Sequence, residues 1–155
     1  MLEALWTAIV ALLVTVDPLG LVPIFVALTP GADAAERAAI ARRAVLLAGA
    51  VLLLFAVAGE AVLAWLGIGM PAFRVAGGLF LFLLALEMVF ERRGPRRSGT
   101  AEDLADDRPG GDLAVFPLGI PLIAGPAAIT TTILVADRLG QTVTGRLAVV
   151  AAVLA

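Results

Sequence analysis

Two proline-containing stretches interrupt otherwise apolar segments of this chain, and they constrain its fold more than any other feature. They span residues 17–23 and 124–130. A helix that breaks inside a bilayer leaves backbone N–H and C=O groups unpaired, which is tolerated only where those groups face protein or a water-filled cavity. One such break in each half of a membrane chain is the pattern that indicates the binding site of a transporter. We therefore predict a ligand site at these breaks.

The composition indicates a membrane environment. Hydrophobic residues make up 61% of the chain and charged residues 15%, and the mean hydropathy is +1.05, whereas ordinary globular domains are about 45–50% apolar. Cys and His are both absent, which excludes disulfides, thiol nucleophiles and histidine acid–base chemistry. The same absence excludes zinc sites, and no metal or cofactor is predicted. No nucleic-acid partner is predicted either, because the net charge of −2 does not indicate one and the arginines form no stripe with aromatic residues.

The apolar pattern predicts an all-α integral membrane fold. Spans are expected at about residues 2–28, 40–66, 71–90 and 113–136. A further apolar run starts at Leu147 and extends to the last residue. Nine residues cannot cross about 30 Å of hydrocarbon at 1.5 Å per residue, so we expect the sequence to be truncated within helix 5.

Three regions are expected along the chain. Residues 1–90 form a first three-helix repeat, and residues 113–155 form part of a second, inverted repeat. Residues 91–112 are rich in Arg, Asp, Glu, Gly and Pro and are predicted to form a flexible cytoplasmic linker, with a lipid-headgroup or partner site as the alternative.

The distribution of arginine predicts the orientation. One side of the predicted membrane carries Arg37, Arg42, Arg43, Arg92, Arg93, Arg96, Arg97 and Arg108. The short connections on the other side carry only Arg138 and Arg146. By the positive-inside rule the first side is cytoplasmic and the N-terminus lies outside. The first and fourth spans then cross in opposite directions, which predicts inverted repeats whose helices 1 and 4 are broken.

The residues next to the two prolines predict the chemistry of the breaks. Proline suits the first position of a helix, so Asp17 is predicted to cap a half-helix that begins at Pro18. Gly125 has no side chain with which to cap the half-helix at Pro126, which leaves a positive helix end suited to a ligand carboxylate. The predicted substrate site comprises Asp17, Pro18, Gly20, Gly125, Pro126, Thr130 and Thr131, with Thr15 and Thr132 as further hydroxyls. Asp17 is also the candidate coupling-ion residue. The alternative is that both breaks are only kinks.

Two ionisable residues, Glu60 and Arg74, occupy the second and third spans. Each lies one to two turns from the short connection at 67–70, so they are predicted to lie at similar depth and to form a structural ion pair. A functional role is the alternative, because ionisable residues in membrane segments are costly. Gly77 and Gly78 follow Arg74 and are predicted to permit close approach of a neighbouring helix.

Three segments together resemble the signature segments of a known family. They read DPLGLVPIF at 17–25, FRVAGG at 73–78 and PLGIPLIAGPAAITT at 117–131, and they are similar to those of the MarC family of bacterial and archaeal inner-membrane proteins. The resemblance implies six helices in two inverted three-helix repeats, with the N-terminus outside. Some members are transporters of small neutral amino acids, so it also implies a glycine- or alanine-like substrate. The sequence departs from the family by stopping within the fifth helix, so we expect either that it is a fragment or that a partner covers the place of the sixth helix.

A secondary transporter that works by alternating access is the leading function, with H⁺ or Na⁺ as the candidate coupling ion. Its expected partners are an amino acid and the lipid bilayer of the bacterial plasma membrane, and a homo-oligomer is compatible with the sequence. A non-transporting scaffold or assembly subunit is the alternative. An enzyme is not expected, because Asp17 and Glu60 are isolated carboxylates on separate helices and do not form a catalytic constellation.

The orientation can be tested with topology reporters. Because eight arginines favour one side, a reporter fused after Arg97 should behave as cytoplasmic and one fused at the N-terminus as external. The reverse pattern would contradict both the orientation and the inverted repeats that follow from it.

Overall fold

A computed structural model describes residues 2–90, 112–140 and 142–154. The predicted linker at 91–112 lies outside these residues except for Asp112. Every regular element that the structure describes is helical. Three helices are long and apolar enough to cross a membrane, or four if a bent pair in the second half counts as one span.

The first span consists of two helices joined at a single residue. Helix α1 covers Leu2–Val16 and helix α2 covers Pro18–Leu28. Asp17 between them has φ 53°, in the left-handed region. Hydrogen bonds nevertheless run across the junction, from Asp17 N–H to the Leu13 carbonyl at 3.0 Å and from Leu21 N–H to the Asp17 carbonyl at 3.1 Å. The first break is therefore a local irregularity within a 27-residue apolar span, Leu2–Leu28.

The second and third spans follow as long helices. Helix α3 covers Ala34–Trp65 and helix α4 covers Met70–Val89. Helix α3 begins six residues earlier than predicted, because Asp33 caps it by accepting a hydrogen bond from Glu36 N–H at 2.8 Å. Gly67 has φ 73° in the connection that follows, a conformation that glycine adopts without steric cost.

The second half of the chain begins with an irregular helix. Helix α5, Ala114–Ile123, is irregular and kinked, and it has two i→i−5 hydrogen bonds, from Leu118 N–H to the Leu113 carbonyl and from Ala124 N–H to the Gly119 carbonyl. Phe116 and Ile120 have extended backbone angles inside it, each just before a proline, because proline disfavours helical geometry in the preceding residue. Helix α6, Pro126–Leu139, follows at a bend of 55°. The predicted fourth span is therefore a bent pair of helices.

Helix α7 covers Val143–Leu154, so it begins earlier than the predicted fifth run. Its start and the start of α3 use the same local contacts. In the connection between α6 and α7, Thr142 Oγ1 accepts a hydrogen bond from Gly145 N–H at 3.1 Å. Asp33 accepts the equivalent hydrogen bond from Glu36 N–H in the connection before α3. The first helical turn of α7 is thereby capped by the side chain that precedes it.

Packing places α6 in the middle of the described helices. It contacts α1, α3, α4 and α7, while α3 also packs along α5. The buried side chains are mostly small, and close approach depends on glycine: a Cβ at Gly59 would lie 2.7 Å from Ile133 Cγ1, and one at Gly119 would lie 2.9 Å from Leu47 Cδ2. Large apolar side chains point outward instead, with Leu19 85% and Val57 78% exposed. Such a surface suits lipid.

Candidate functional site

Asp17 caps the half-helix that begins at Pro18, as predicted. Its Oδ1 accepts a hydrogen bond from Gly20 N–H at 3.1 Å. A Cβ at Gly20 would collide with the same carboxylate, so glycine at this position is what allows the cap to form. Asp17 and Gly20 are half-buried and Pro18 is exposed. The negative charge of Asp17 therefore lies at a positive helix end.

Helix α6 begins differently, because its N-terminus has no side-chain cap. Gly125 precedes Pro126, and it has no side chain that could accept a hydrogen bond from the first turn. Ala127 and Ala128, whose N–H groups belong to that turn, are 7% and 1% exposed. Helix N-terminal N–H groups lack partners within their own helix and favour anions. The uncapped start of α6 is therefore a buried, electropositive point in the fold.

The threonines after Pro126 differ in what their hydroxyls contact. Thr132 is fully buried, and its hydroxyl donates to the Ala128 carbonyl at 2.7 Å. Thr131 is 4% exposed, and its Oγ1 is buried with no hydrogen-bond partner among the described residues. A buried hydroxyl without a partner is costly, so it needs an explanation. Thr15, the predicted hydroxyl in the first span, is satisfied by Ala11 and Leu12 carbonyls.

The two breaks lie against the same apolar cluster. Ala124 and Ala128, on either side of Gly125, pack with Ala48 and Leu52 of α3. Val16, which precedes Asp17, packs against this cluster. The structure thus brings together two sequence regions more than 100 residues apart, at the level of the α6 N-terminus.

Only one of the two adjacent glycines in α4 supports helix packing. A Cβ at Gly77 would lie 2.7 Å from Thr130 Cγ2, so the methyl group of Thr130 faces α4 at a close approach between α4 and α6. Gly78 is exposed, and a Cβ there would meet nothing within 4 Å among the described residues. The predicted packing role therefore applies to Gly77 and not to Gly78.

The prediction that Arg74 forms an ion pair with Glu60 is wrong. Arg74 binds Asp137 instead, with Nε–Oδ2 and Nη2–Oδ2 distances of 2.9 and 2.5 Å. Asp137 lies in the last turn of α6, which packs against α4. The sequence had suggested a polar connection at this point, but α6 continues to Leu139 and carries Asp137 to Arg74. The Asp137 side chain is 8% exposed and that of Arg74 is 57% exposed.

A second ion pair joins Arg43 of α3 to Asp112, just before α5. Asp137 lines a cavity with Glu60 of α3, so the Arg74–Asp137 pair lies at the level of Glu60. Glu60 is 17 positions from Arg43, or about 26 Å along a helix. That distance is close to the hydrocarbon thickness of about 30 Å. The two ion pairs therefore hold opposite ends of the bent α5–α6 segment to α3 and α4.

Two arginines that served only to predict the orientation make contacts at the helix connections. Arg37 donates to the carbonyl of Thr29, the C-cap residue of α2, at 3.1 Å. Arg146 donates to the carbonyl of Gly140, the C-cap residue of α6, at 2.9 Å. In each connection the arginine stands four residues after the capping residue, Asp33 or Thr142. This shared spacing could have been noticed in the sequence.

Comparison with known proteins establishes the family. Residues 2–155 match the family described as MarC family integral membrane protein. The chain belongs to the MarC family. A UPF0056 membrane protein of Methanocaldococcus jannaschii is 38% identical over 83% of this chain and 56% of its own length. The UPF0056 inner membrane protein YhgN of Escherichia coli is 37% identical over 85% of this chain and 64% of its own.

Membership in this family makes the chain an integral membrane protein, which agrees with its composition and its apolar helices. The UPF0056 membrane protein YvbG of Bacillus subtilis is 38% identical over 79% of this chain and 58% of its own length. The chain thus spans less than two thirds of the length of these relatives. No solved structure matches it.

The Arg74–Asp137 contact predicts a measurable coupling. Arg74→Gln and Asp137→Asn should each lower thermal stability, because each leaves a charged partner unmatched. The double variant should lose less than the sum, with a coupling of about 0.2–1 kcal/mol, because the Arg74 side chain is 57% exposed and solvent weakens the pair. Arg74→Gln combined with Glu60→Gln is the matched control and should be additive. Additivity in the Asp137 cycle together with coupling in the Glu60 cycle would contradict the observed pairing.

Proposed function

We propose that this protein is a secondary transporter of small neutral amino acids that works by alternating access. The observation that carries the proposal is the α6 N-terminus, where an uncapped and buried first turn lies one turn before a buried Thr131 hydroxyl that has no partner among the described residues. A ligand carboxylate would satisfy the N–H groups, and the hydroxyl supplies a further hydrogen bond.

The character of this site supports a small neutral ligand. The positive charge comes from a helix end and not from an ionised side chain, which suits a single carboxylate. Ala124, Ala127 and Ala128 around it are 1%, 7% and 1% exposed, and a Cβ at Gly125 would collide with the Pro121 carbonyl. Little room remains for a ligand side chain, which favours glycine or alanine over larger amino acids.

Asp17 is the candidate for the ligand ammonium or for a coupling H⁺ or Na⁺. It follows Val16, which packs against the cluster around Gly125, so the first break adjoins the cluster at the proposed site. Its hydrogen bond from Gly20 N–H holds the carboxylate in position. Substrate and ion would then share one region, as in transporters with broken helices.

Alternating access is supported by the repeated connection and by the two ion pairs. The same capping and arginine contacts occur before α3 and before α7, as expected if α1–α3 and α5–α7 are inverted repeats. The Arg43–Asp112 and Arg74–Asp137 pairs lie at opposite ends of the bent segment. Opening one pair at a time would expose the site to one side of the membrane at a time. We place the protein in the plasma membrane with its N-terminus outside, and the Escherichia coli relative is named an inner membrane protein.

A non-transporting scaffold is the second candidate, and one observation favours it. Hydrogen bonds continue across Asp17, so the first break exposes few backbone groups and behaves as a kink. The uncapped helix start at the second break supports the transporter instead.

Two neighbouring threonines test the binding site. Thr131→Val is nearly isosteric and removes only the unpartnered hydroxyl, so folded yield should be maintained or improved. Exchange of labelled alanine in vesicles containing the full-length protein should fall about tenfold in kcat/KM if that hydroxyl binds the ligand. Thr132→Val is the control, because its hydroxyl bonds within its own helix, and it should transport normally. Equal activity in both variants would contradict the proposed site.

Asp17 tests ion coupling separately. Asp17→Asn retains an oxygen that can cap Gly20 N–H but removes the charge. Uphill accumulation of alanine driven by an ion gradient should be lost, while counterflow exchange persists and folded yield stays close to that of the unmodified protein. Gradient-driven accumulation at the original level would show that Asp17 is only a cap.

A further inference from the structure

A cavity of about 420 Å³ lies between α3, α6 and α7, away from the two breaks. Its walls include Phe55, Ile133 and Val149, and its charged residues are Glu60, Asp137 and Arg146. Small-molecule sites commonly occupy about 300–1,000 Å³ and combine apolar walls with a few polar groups. Asp137 is 11 positions after Pro126, or about 17 Å along α6, so the cavity is separate from the proposed central site.

Two of the three charged residues of this cavity have no charged partner among the described residues. Asp137 is bound to Arg74. Glu60 has no hydrogen-bond or ion-pair partner among the described residues. Arg146 uses its Nε–H for the Gly140 carbonyl, and within the described part of the chain its two terminal nitrogens have no acceptor. Glu60 and Arg146 line the same cavity, yet they do not form an ion pair with each other.

Glu60 and Arg146 are both exposed, so each is accessible from the cavity. A ligand that carries both charges would pair with both residues, whereas an anion would pair only with Arg146 and a cation only with Glu60. A metal ion is poorly suited, since no group of three or more potential ligating side chains occurs among the described residues. The guanidinium can bind a carboxylate through two parallel hydrogen bonds.

We propose that this cavity is a second, peripheral subsite for a zwitterionic α-amino acid. Arg146 binds the ligand carboxylate and Glu60 accepts hydrogen bonds from the ligand ammonium, while Val149 and Ile133 contact its side chain. The proposal rests on the proposed function for the substrate class, but the subsite is defined by different residues. A ligand held here would lie beside the Arg74–Asp137 pair, near one end of the bent segment.

Cysteine protection can test the subsite locally. The sequence contains no cysteine, so Val150→Cys, on the cavity wall, places a single thiol there within this chain. Val143→Cys is the matched control, because Val143 lies on the same helix, is 76% exposed and is not part of the cavity wall. The probes are alanine, propionate, which lacks the ammonium, and ethylamine, which lacks the carboxylate. The full-length protein in nanodiscs is alkylated with a small maleimide, and the rate is measured with each probe.

Alanine should slow alkylation at Val150→Cys and leave Val143→Cys unchanged, while propionate and ethylamine give little protection at the same concentration. Adding Glu60→Gln or Arg146→Gln should raise the half-protecting alanine concentration about tenfold or more, as expected for the loss of one charge-assisted contact. If Val150→Cys lowers folded yield, Ala56→Cys, at a half-buried position on the α3 wall of the cavity, serves as the reporter.

The outcomes separate the subsite from the transport function. Absence of protection by alanine, equal protection by a singly charged probe, or protection that survives both substitutions would overturn the subsite. Alanine exchange is measured on the same preparations. Protection without exchange supports the subsite and contradicts transport, whereas exchange without protection supports transport and overturns the subsite.

Discussion

The requirement that buried backbone groups find hydrogen-bond partners controls the rest of this structure. Hydrocarbon offers none, so each helix break must be repaired within the protein. The two breaks differ in how their backbone groups find hydrogen-bond partners. At Asp17 the helical hydrogen bonds continue and a carboxylate caps the new start. In α5 the i→i−5 bonds recover groups lost around Pro117 and Pro121, but α6 then begins without a cap. The uncapped backbone N–H groups are therefore concentrated at the start of α6.

That place is fixed by close packing around α6. Gly59 of α3 and Gly77 of α4 let Ile133 and Thr130 approach closely from the two sides, and α1 and α7 contact the same helix. With small residues at the contacts, helices in a membrane pack through van der Waals contact and not through hydrophobic exclusion. Helix α6 is consequently held by four neighbouring helices. A binding group on such a helix is pre-organised, which lowers the cost of ordering it when a ligand binds.

The helix caps could be predicted from the sequence, whereas the ion-pair partner of Arg74 could not. The caps at Asp17 and Asp33 and the uncapped start at Gly125 follow from residues next to one another in the chain, so they could be predicted. The partner of Arg74 could not, because equal depth on two helices does not determine which faces meet, and Asp137 had been assigned to a connection. The kinked course of α5 around Pro117 and Pro121 was also not predicted, since a proline pattern indicates a break but not which hydrogen bonds the backbone forms around it. Gly77 and Gly78 show the same limit: spacing indicated small residues, and only the packing of Thr130 distinguishes them.

The exposure of the two ion pairs bears on whether they can move. In the Arg74–Asp137 pair the arginine is 57% exposed although the carboxylate is 8% exposed, and in the Arg43–Asp112 pair the values are 64% and 35%. Partly exposed pairs contribute little to stability, because solvent compensates their separation. Fully buried pairs in the same positions would hold the α5–α6 segment permanently, since breaking them would leave charges in the core. Partly exposed pairs at both ends of the segment can instead open and close, because the free energy of ligand binding is enough to offset the loss of such a weak contact. That property is what a proposed alternating mechanism requires of them, and it does not depend on which end faces the cytoplasm.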